Sequence, residues 1–155
     1  EAADFAKLHL GSNIERIVRA SHKPVFIAAR SFREPKRLLI AFDGGASSLK
    51  AVAHIAENPL YEGLECHLLM AGDSSPASRT KMDEACARLQ AAGREAKTFV
   101  ADASPESAIA EHVEALNIDL VAMGAYGHSH IRNLIIGSTT TEMIRSCKVP
   151  LVLFR

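Results

Sequence analysis

From Lys36 onward the chain alternates short apolar runs with stretches whose apolar residues recur at helical spacing, which predicts strands and amphipathic helices in turn. Arg37 to Phe42 is the first such run, closed by the turn signal Asp43-Gly44-Gly45. Ser47 or Ser48 is placed to cap a helix that carries Leu49, Val52, Ala53 and Ala56 on one face, and Asn58-Pro59 stops it. Leu64 to Ala71 reads as a second strand. Ser75-Pro76 and Ser104-Pro105 repeat one start signal, a hydroxyl cap followed by proline at the first helical position. Behind the first lie Met82, Ala85, Cys86 and Leu89, with Gly93 as terminator; behind the second lie Ile109, Val113 and Leu116. Ala96 to Val100 and Ile118 to Met123 are the third and fourth strands. Gly137 or Ser138 opens a fourth helix with Met143, Ile144 and Cys147 inward, and Pro150 leads into Leu151 to Phe154. The sum is βαβαβαβαβ: an α/β chain forming a doubly wound parallel five-stranded sheet with helices on both faces and right-handed crossovers.

Composition adds mainly exclusions. With 155 residues, 48% hydrophobic and 23% charged, the chain can bury one sizeable core. Lys and Arg total 18 and Asp and Glu total 18, without a block of like charge, so neither nucleic acid nor an anionic membrane is indicated as a partner. No apolar run approaches the roughly 20 residues that span a bilayer, and the default location is cytoplasmic. Cys66, Cys86 and Cys147 are scattered, with no C-x-x-C pair, and read as reduced, mostly buried thiols.

The stretch that carries chemistry runs from Gly124 to Thr139, with the spacing G-x2-G-x9-G-[ST] across Gly124, Gly127, Gly137 and Ser138. It follows a strand and ends at a helix start. There, unpaired backbone N–H groups and the positive end of the dipole favour an anion such as phosphate. Glycines admit close backbone approach, and Ser138 and Thr139 add hydroxyl donors. The pattern is neither a Walker A loop nor the tighter dinucleotide fingerprint. His128 and His130 lack the further ligands a transition metal needs, and with Arg132 they read as side chains of an arm over the phosphates. No nucleophile elbow, paired catalytic carboxylates or P-loop lysine is present, so no catalytic residue is assigned.

This segment resembles the nucleotide-binding signature of the universal stress protein family, in the branch that keeps the phosphate-binding glycines. The resemblance covers residues 36–155 as one whole domain and implies strand order 3-2-1-4-5, a Rossmann-like arrangement. In such a sheet ligands bind outside the carboxyl ends of the strands where the order reverses. The site residues it implies are Ala41, Asp43, Gly44, Ala71, Met123, Gly124, Gly127, His128, Arg132, Gly137, Ser138 and Thr139, with ATP as the ligand, alone or with Mg2+. Asp43 would accept from ribose hydroxyls or help hold the metal on the phosphates; its structural alternative is a cap for the next helix. Ala41 and Ala71 would be apolar walls, and the second alignment could slip by one to Met70. Gly45 departs from the more usual Asp-Gly-Ser.

Residues 1–30 repeat part of the later chain at a constant offset. Leu10-Gly11-Ser12 matches Ile136-Gly137-Ser138, Arg19 matches Arg145, and Pro24 matches Pro150. Residues 1–30 therefore resemble the last helix and strand of a preceding copy, 31–35 a linker, and the whole the C-terminal part of a tandem protein. Strands 24–29 and 150–154 are expected to pair, as an intrachain pseudo-dimer or in a homo-oligomer, with the helix face of Ile14, Ile17 and Val18 needing cover from another chain or from missing residues. The expected function is an ATP-binding stress-response sensor or switch. The alternatives are a non-enzymatic interaction module without bound nucleotide and a weak ATPase.

Overall fold

The structure, a computed structural model, describes residues 13–14, 16–72, 75–126 and 138–155. Six strands form one sheet: β1 (Val25–Ile27), β2 (Arg37–Ala41), β3 (Glu65–Ala71), β4 (Glu95–Ala101), β5 (Leu120–Gly124) and β6 (Leu151–Phe154). Four helices cross between them: α1 (Ala46–Glu57), α2 (Pro76–Ala91), α3 (Pro105–Ala115) and α4 (Ser138–Ser146). Residues 16–20 are also helical.

The strand order is β1-β6-β5-β2-β3-β4. The five strands from β2 onward are parallel to their neighbours in the arrangement 3-2-1-4-5. The sheet nevertheless differs from the five-stranded parallel one expected. β1 adds antiparallel to β6, with Val25 opposite Leu153 and Ile27 opposite Leu151, making it six-stranded and mixed. The physical reason is the edge of β6, which offers a row of unpaired backbone groups that a neighbouring strand satisfies.

The alternation of side chains along the strands sorts the core into two layers. Leu38, Ile40, Cys66, Leu68 and Met70 pack under α1 and α2; Leu39, Leu69, Val121, Met123, Leu151 and Leu153 pack under α3 and α4. Val18 joins the second layer at 1% exposure, so the N-terminal helix packs on this same sheet. That corrects the expectation that its face needs cover from elsewhere, except at Ile17, which is exposed.

Both Ser-Pro starts behave as the residues predict. Ser75 accepts from the Ser78 N–H and Ser104 from the Ser107 N–H, each with proline at the first helical position. Each cap is worth about 1 kcal/mol. The start of α1 differs from expectation. Its N-cap is Gly45, which has no side chain to offer, while Ser48 donates to Asp43 Oδ1 at 2.7 Å and to the Gly45 carbonyl at 3.0 Å. Leu49 points outward because the buried stripe of α1 runs through Ser47, Ser48, Ala51, Val52, Ile55 and Ala56. At the other end of α1, the buried Arg94 donates to the carbonyls of Ile55, Ala56 and Asn58. It thereby satisfies acceptors that a helix end leaves open.

Candidate functional site

β2 and β5 lie side by side as far as Ala41 and Met123, which are register partners. Beyond that pair they part. The Phe42 N–H donates to the Leu69 carbonyl of β3, whereas the Ala125 N–H donates to the Phe154 carbonyl of β6 at 2.7 Å. The chain thus opens a crevice at the carboxyl end of the sheet, at the point where the strand order reverses.

One lip of the crevice is Asp43-Gly44-Gly45. Asp43 Oδ1 accepts from the Gly45 N–H at 2.8 Å as well as from Ser48, which tightens the turn into α1. Asp43 thus braces the turn before the helix, while the N-cap itself is Gly45. Gly44 stands at φ +70°, a left-handed conformation that glycine adopts without strain. A Cβ there would lie 3.1 Å from Cδ of Lys81, whose Nζ would be 3.9 Å away. α2 thereby brings an exposed ammonium group to this lip, a residue the sequence did not nominate.

The opposite lip is Gly124, and its lack of a side chain has a packing cause. A Cβ at Gly124 would stand 2.7 Å from Ser47 Cβ and 3.2 Å from the Ser48 nitrogen, so the first turn of α1 sits directly against it. Its carbonyl accepts from Thr140 Oγ1 at 3.1 Å, which fixes the start of α4 beside the strand end. Thr139, the second residue of α4, donates through Oγ1 to Glu106 Oε1 at 2.7 Å. That bond, with the backbone N–H of Glu106 itself, holds the carboxyl below its usual range, so it is ionised near neutral pH.

The remaining expected site residues fall in different places. Ala41 and Ala71 are half-buried on the α3 and α4 side of the sheet. Met70, the one-residue slip, is buried under α1 and α2, on the other face. Met123 is core, 4% exposed. Gly127, His128, Arg132 and Gly137 lie outside the described residues, as does His130; Ser138 opens α4, and its side chain is likewise outside them. Tyr126 places a buried hydroxyl with no hydrogen-bond partner among the described residues. No cluster of three or more potential metal ligands occurs among them.

A second concavity, of about 450 Å3, opens at the amino end of the sheet between Arg37, Glu65, His67, Lys97, Phe99 and the end of α3. Glu65 holds Lys97 at 2.6 Å and Arg37 at 3.5 Å. His67 is 3% exposed and stacks on Phe99 with ring centroids 5.1 Å apart. Its Nε2 is 3.0 Å from Glu65 Oε1, but neither ring nitrogen has an aligned hydrogen-bond partner. Burial therefore pulls its pKa below the usual histidine range, against the opposing pull of the Glu65 charge. The thiols are free, and burial pushes that of Cys66 up to about 11, which removes it as a nucleophile.

A doubly wound α/β sheet whose strand order reverses between β2 and β5, with Gly44 and Gly124 at the two strand ends there, defines a Rossmann-like domain. Residues 67–155 match the universal stress protein family model, and the chain belongs to that family. It is 36% identical over its full length to a universal stress protein of Synechocystis, of which it spans 55%. A universal stress protein structure from Archaeoglobus fulgidus superposes with a TM-score of 0.73 at 25% identity, covering 97% of this chain and 56% of that one. A universal stress protein solved in complex with cAMP superposes at 0.65 with 22% identity, over 79% of this chain and 98% of that one. Among the described residues no helix is long and apolar enough to cross a membrane.

Proposed function

We propose that the chain binds an adenine nucleotide, ATP with Mg2+ foremost, in the crevice between Asp43-Gly44 and Gly124, and that occupancy sets a conformational state. The carrying observation is the divergence of β2 and β5 just above Ala41 and Met123, with the start of α4 tied to the rim by Thr140. A helix N-terminus held at a switch-point crevice is the arrangement that accepts phosphate. The likeness to a relative solved with cAMP supports an adenine ligand. Asp43 would meet the ribose, Ala41 and Ala71 the base, and Gly127, Gly137 and Ser138 the phosphates, with Thr139 offering its backbone N–H because its hydroxyl donates to Glu106. The sequence supports binding over turnover, since it carries no P-loop lysine signature. The repeat of residues 10–27 supports a two-copy protein of which this is the C-terminal part, and membership of the family supports a role in a stress response.

Calorimetric titration of Mg-ATP, AMP and cAMP into the purified chain tests this reading, with Gly127→Val as the comparison. Saturable binding that the variant loses is expected. A folded chain that takes up none of the three would sink the reading and favour an interaction module without nucleotide.

A further inference from the structure

At the amino end of the sheet, one carboxylate oxygen stands within reach of two different nitrogens. Glu65 and His67 are two residues apart on β3, so their side chains share the face under α3. In register, Glu65 lies opposite Arg37 of β2 and His67 lies opposite Lys97 of β4. Lys97 reaches diagonally back to Glu65 Oε1 at 2.6 Å, and His67 Nε2 stands 3.0 Å from that same oxygen. Lys97 holds it, and neither nitrogen of the His67 ring has an aligned hydrogen-bond partner among the described residues.

A proton on that ring changes who holds the oxygen. His67 is 3% exposed and both its ring nitrogens are buried, so water cannot take up the new charge. Glu65 Oε1 is the acceptor at hand. An imidazolium N–H directed there competes with the Lys97 ammonium, which has Glu95 at 3.3 Å and about half of its surface in solvent to fall back on. Lys97 is therefore the group that can leave. The other charge beside the ring is Arg37, whose Nε is 3.5 Å from Glu65 Oε2; on the α3 side His112 stands edge-on to Phe99, with Nδ1 2.9 Å from the Ala108 carbonyl. β4 is the last strand of the sheet and pairs only with β3 among the described residues, so it can open locally at less cost than a central strand.

We propose that this end of the sheet carries an acid-operated latch, in which protonated His67 takes Glu65 Oε1 from Lys97 and so loosens the edge strand β4 from β3. Burial opposes the charge on the ring more than Glu65 favours it, which puts the exchange on the acid side of the ordinary histidine range. At higher pH the latch is closed. It works without any ligand in the crevice at the opposite end.

The test is amide hydrogen exchange of the purified chain between pH 8 and pH 5, the span over which histidine titrates, corrected for intrinsic rates and read in β4 against β5. The protonation of the His67 ring is followed by NMR in the same samples. Opening of β4 in the wild type should rise about fourfold as the ring gains its proton, the scale that one partly exposed ion pair allows. His67→Phe should keep β4 closed throughout, and Lys97→Met should leave it loose already at pH 8. His112→Gln, which removes the other titratable ring beside Phe99, should retain the wild-type rise. A rise that persists in His67→Phe, or that His112→Gln abolishes, overturns the inference. Two results on the wild type alone do the same: a His67 ring that titrates while β4 protection holds, and one that stays neutral until the chain unfolds.

Discussion

The two ends of the sheet differ in what their residues are occupied with. At the amino end the charged groups are already partnered inside the protein. Asp119 accepts from the backbone N–H groups of Lys36 at 2.9 Å and Arg37 at 3.0 Å and pairs with Arg33. Glu65 ties Lys97 to Arg37 across three strands. At the carboxyl end the equivalent positions are alanines and glycines, where β2 and β5 part company. By residue type alone, a buried histidine beside a glutamate, an arginine and a lysine looks like a reaction centre. Its contacts show a clamp on the strand starts, whereas the plainer end leaves room for something from outside.

Three substitutions sharpen that contrast, taken from the largest expected effect to the smallest. Gly124→Ala drives a methyl group into the first turn of α1, at 2.7 Å from Ser47 Cβ. Overpacking of this kind costs about 3 kcal/mol, and urea denaturation should show it together with weakened nucleotide binding. An unchanged midpoint would mean that α1 yields freely and that the lip is soft.

Asp119→Ala acts at the other end and leaves two backbone donors and Arg33 without their acceptor, at a cost of about 2 kcal/mol. Nucleotide affinity should not move. Burial raises the Asp119 pKa, but the two N–H donors and Arg33 outweigh it, so the folded value lies below the unfolded one. The stabilisation is thus complete above the unfolded value of about 3.9 and is lost as pH falls through the folded one. Urea midpoints of wild type and variant should converge below that range; a gap constant down to pH 2 contradicts the assignment.

His67→Phe is the mildest of the three, since a neutral ring stacked on Phe99 is exchanged for an apolar one, with a cost below about 1 kcal/mol at neutral pH. Its effect is in the pH profile. A histidine whose folded pKa is depressed contributes fully above its unfolded value of about 6.5 and penalises the fold as pH drops below it. Thermal melts between pH 7 and 5 should therefore fall more steeply for wild type than for the variant. Parallel slopes would show that His67 protonates in place, through its contact with Glu65.

Local signals carried most of the fold. The Ser-Pro starts, the Asn58-Pro59 stop and the apolar runs mark elements through interactions among near neighbours; a repeat at constant offset marks β1 as a strand, and its place beside β6 is what the family resemblance implies. What stayed hidden depends on packing between distant segments. Arg94 reads as an ordinary surface residue until the turn after α2 delivers it to the end of α1. Lys81 reaches Gly44, and Glu106 reaches Thr139, only because helices far apart in sequence dock on one sheet. Helical spacing predicts Leu49 inward, but the tight seat of Ser47 against Gly124 turns that face outward. For the site, the strand order that the resemblance implies marks the switch point, while the packing reason for Gly124 lies in the first turn of α1, a segment far off in sequence.

The parting of β2 and β5 also has a dynamic meaning. Below Ala41 and Met123 the two strands form the centre of the sheet, covered on both faces by helices. Amides there belong to the part of a protein that exchanges with solvent only on global opening. The rim above is made of helix first turns held by a few side-chain hydrogen bonds, which open locally at less cost than the floor. The crevice therefore combines a floor as persistent as the whole fold with walls that breathe, and a molecule seated in it would quieten the walls while leaving the floor as it was.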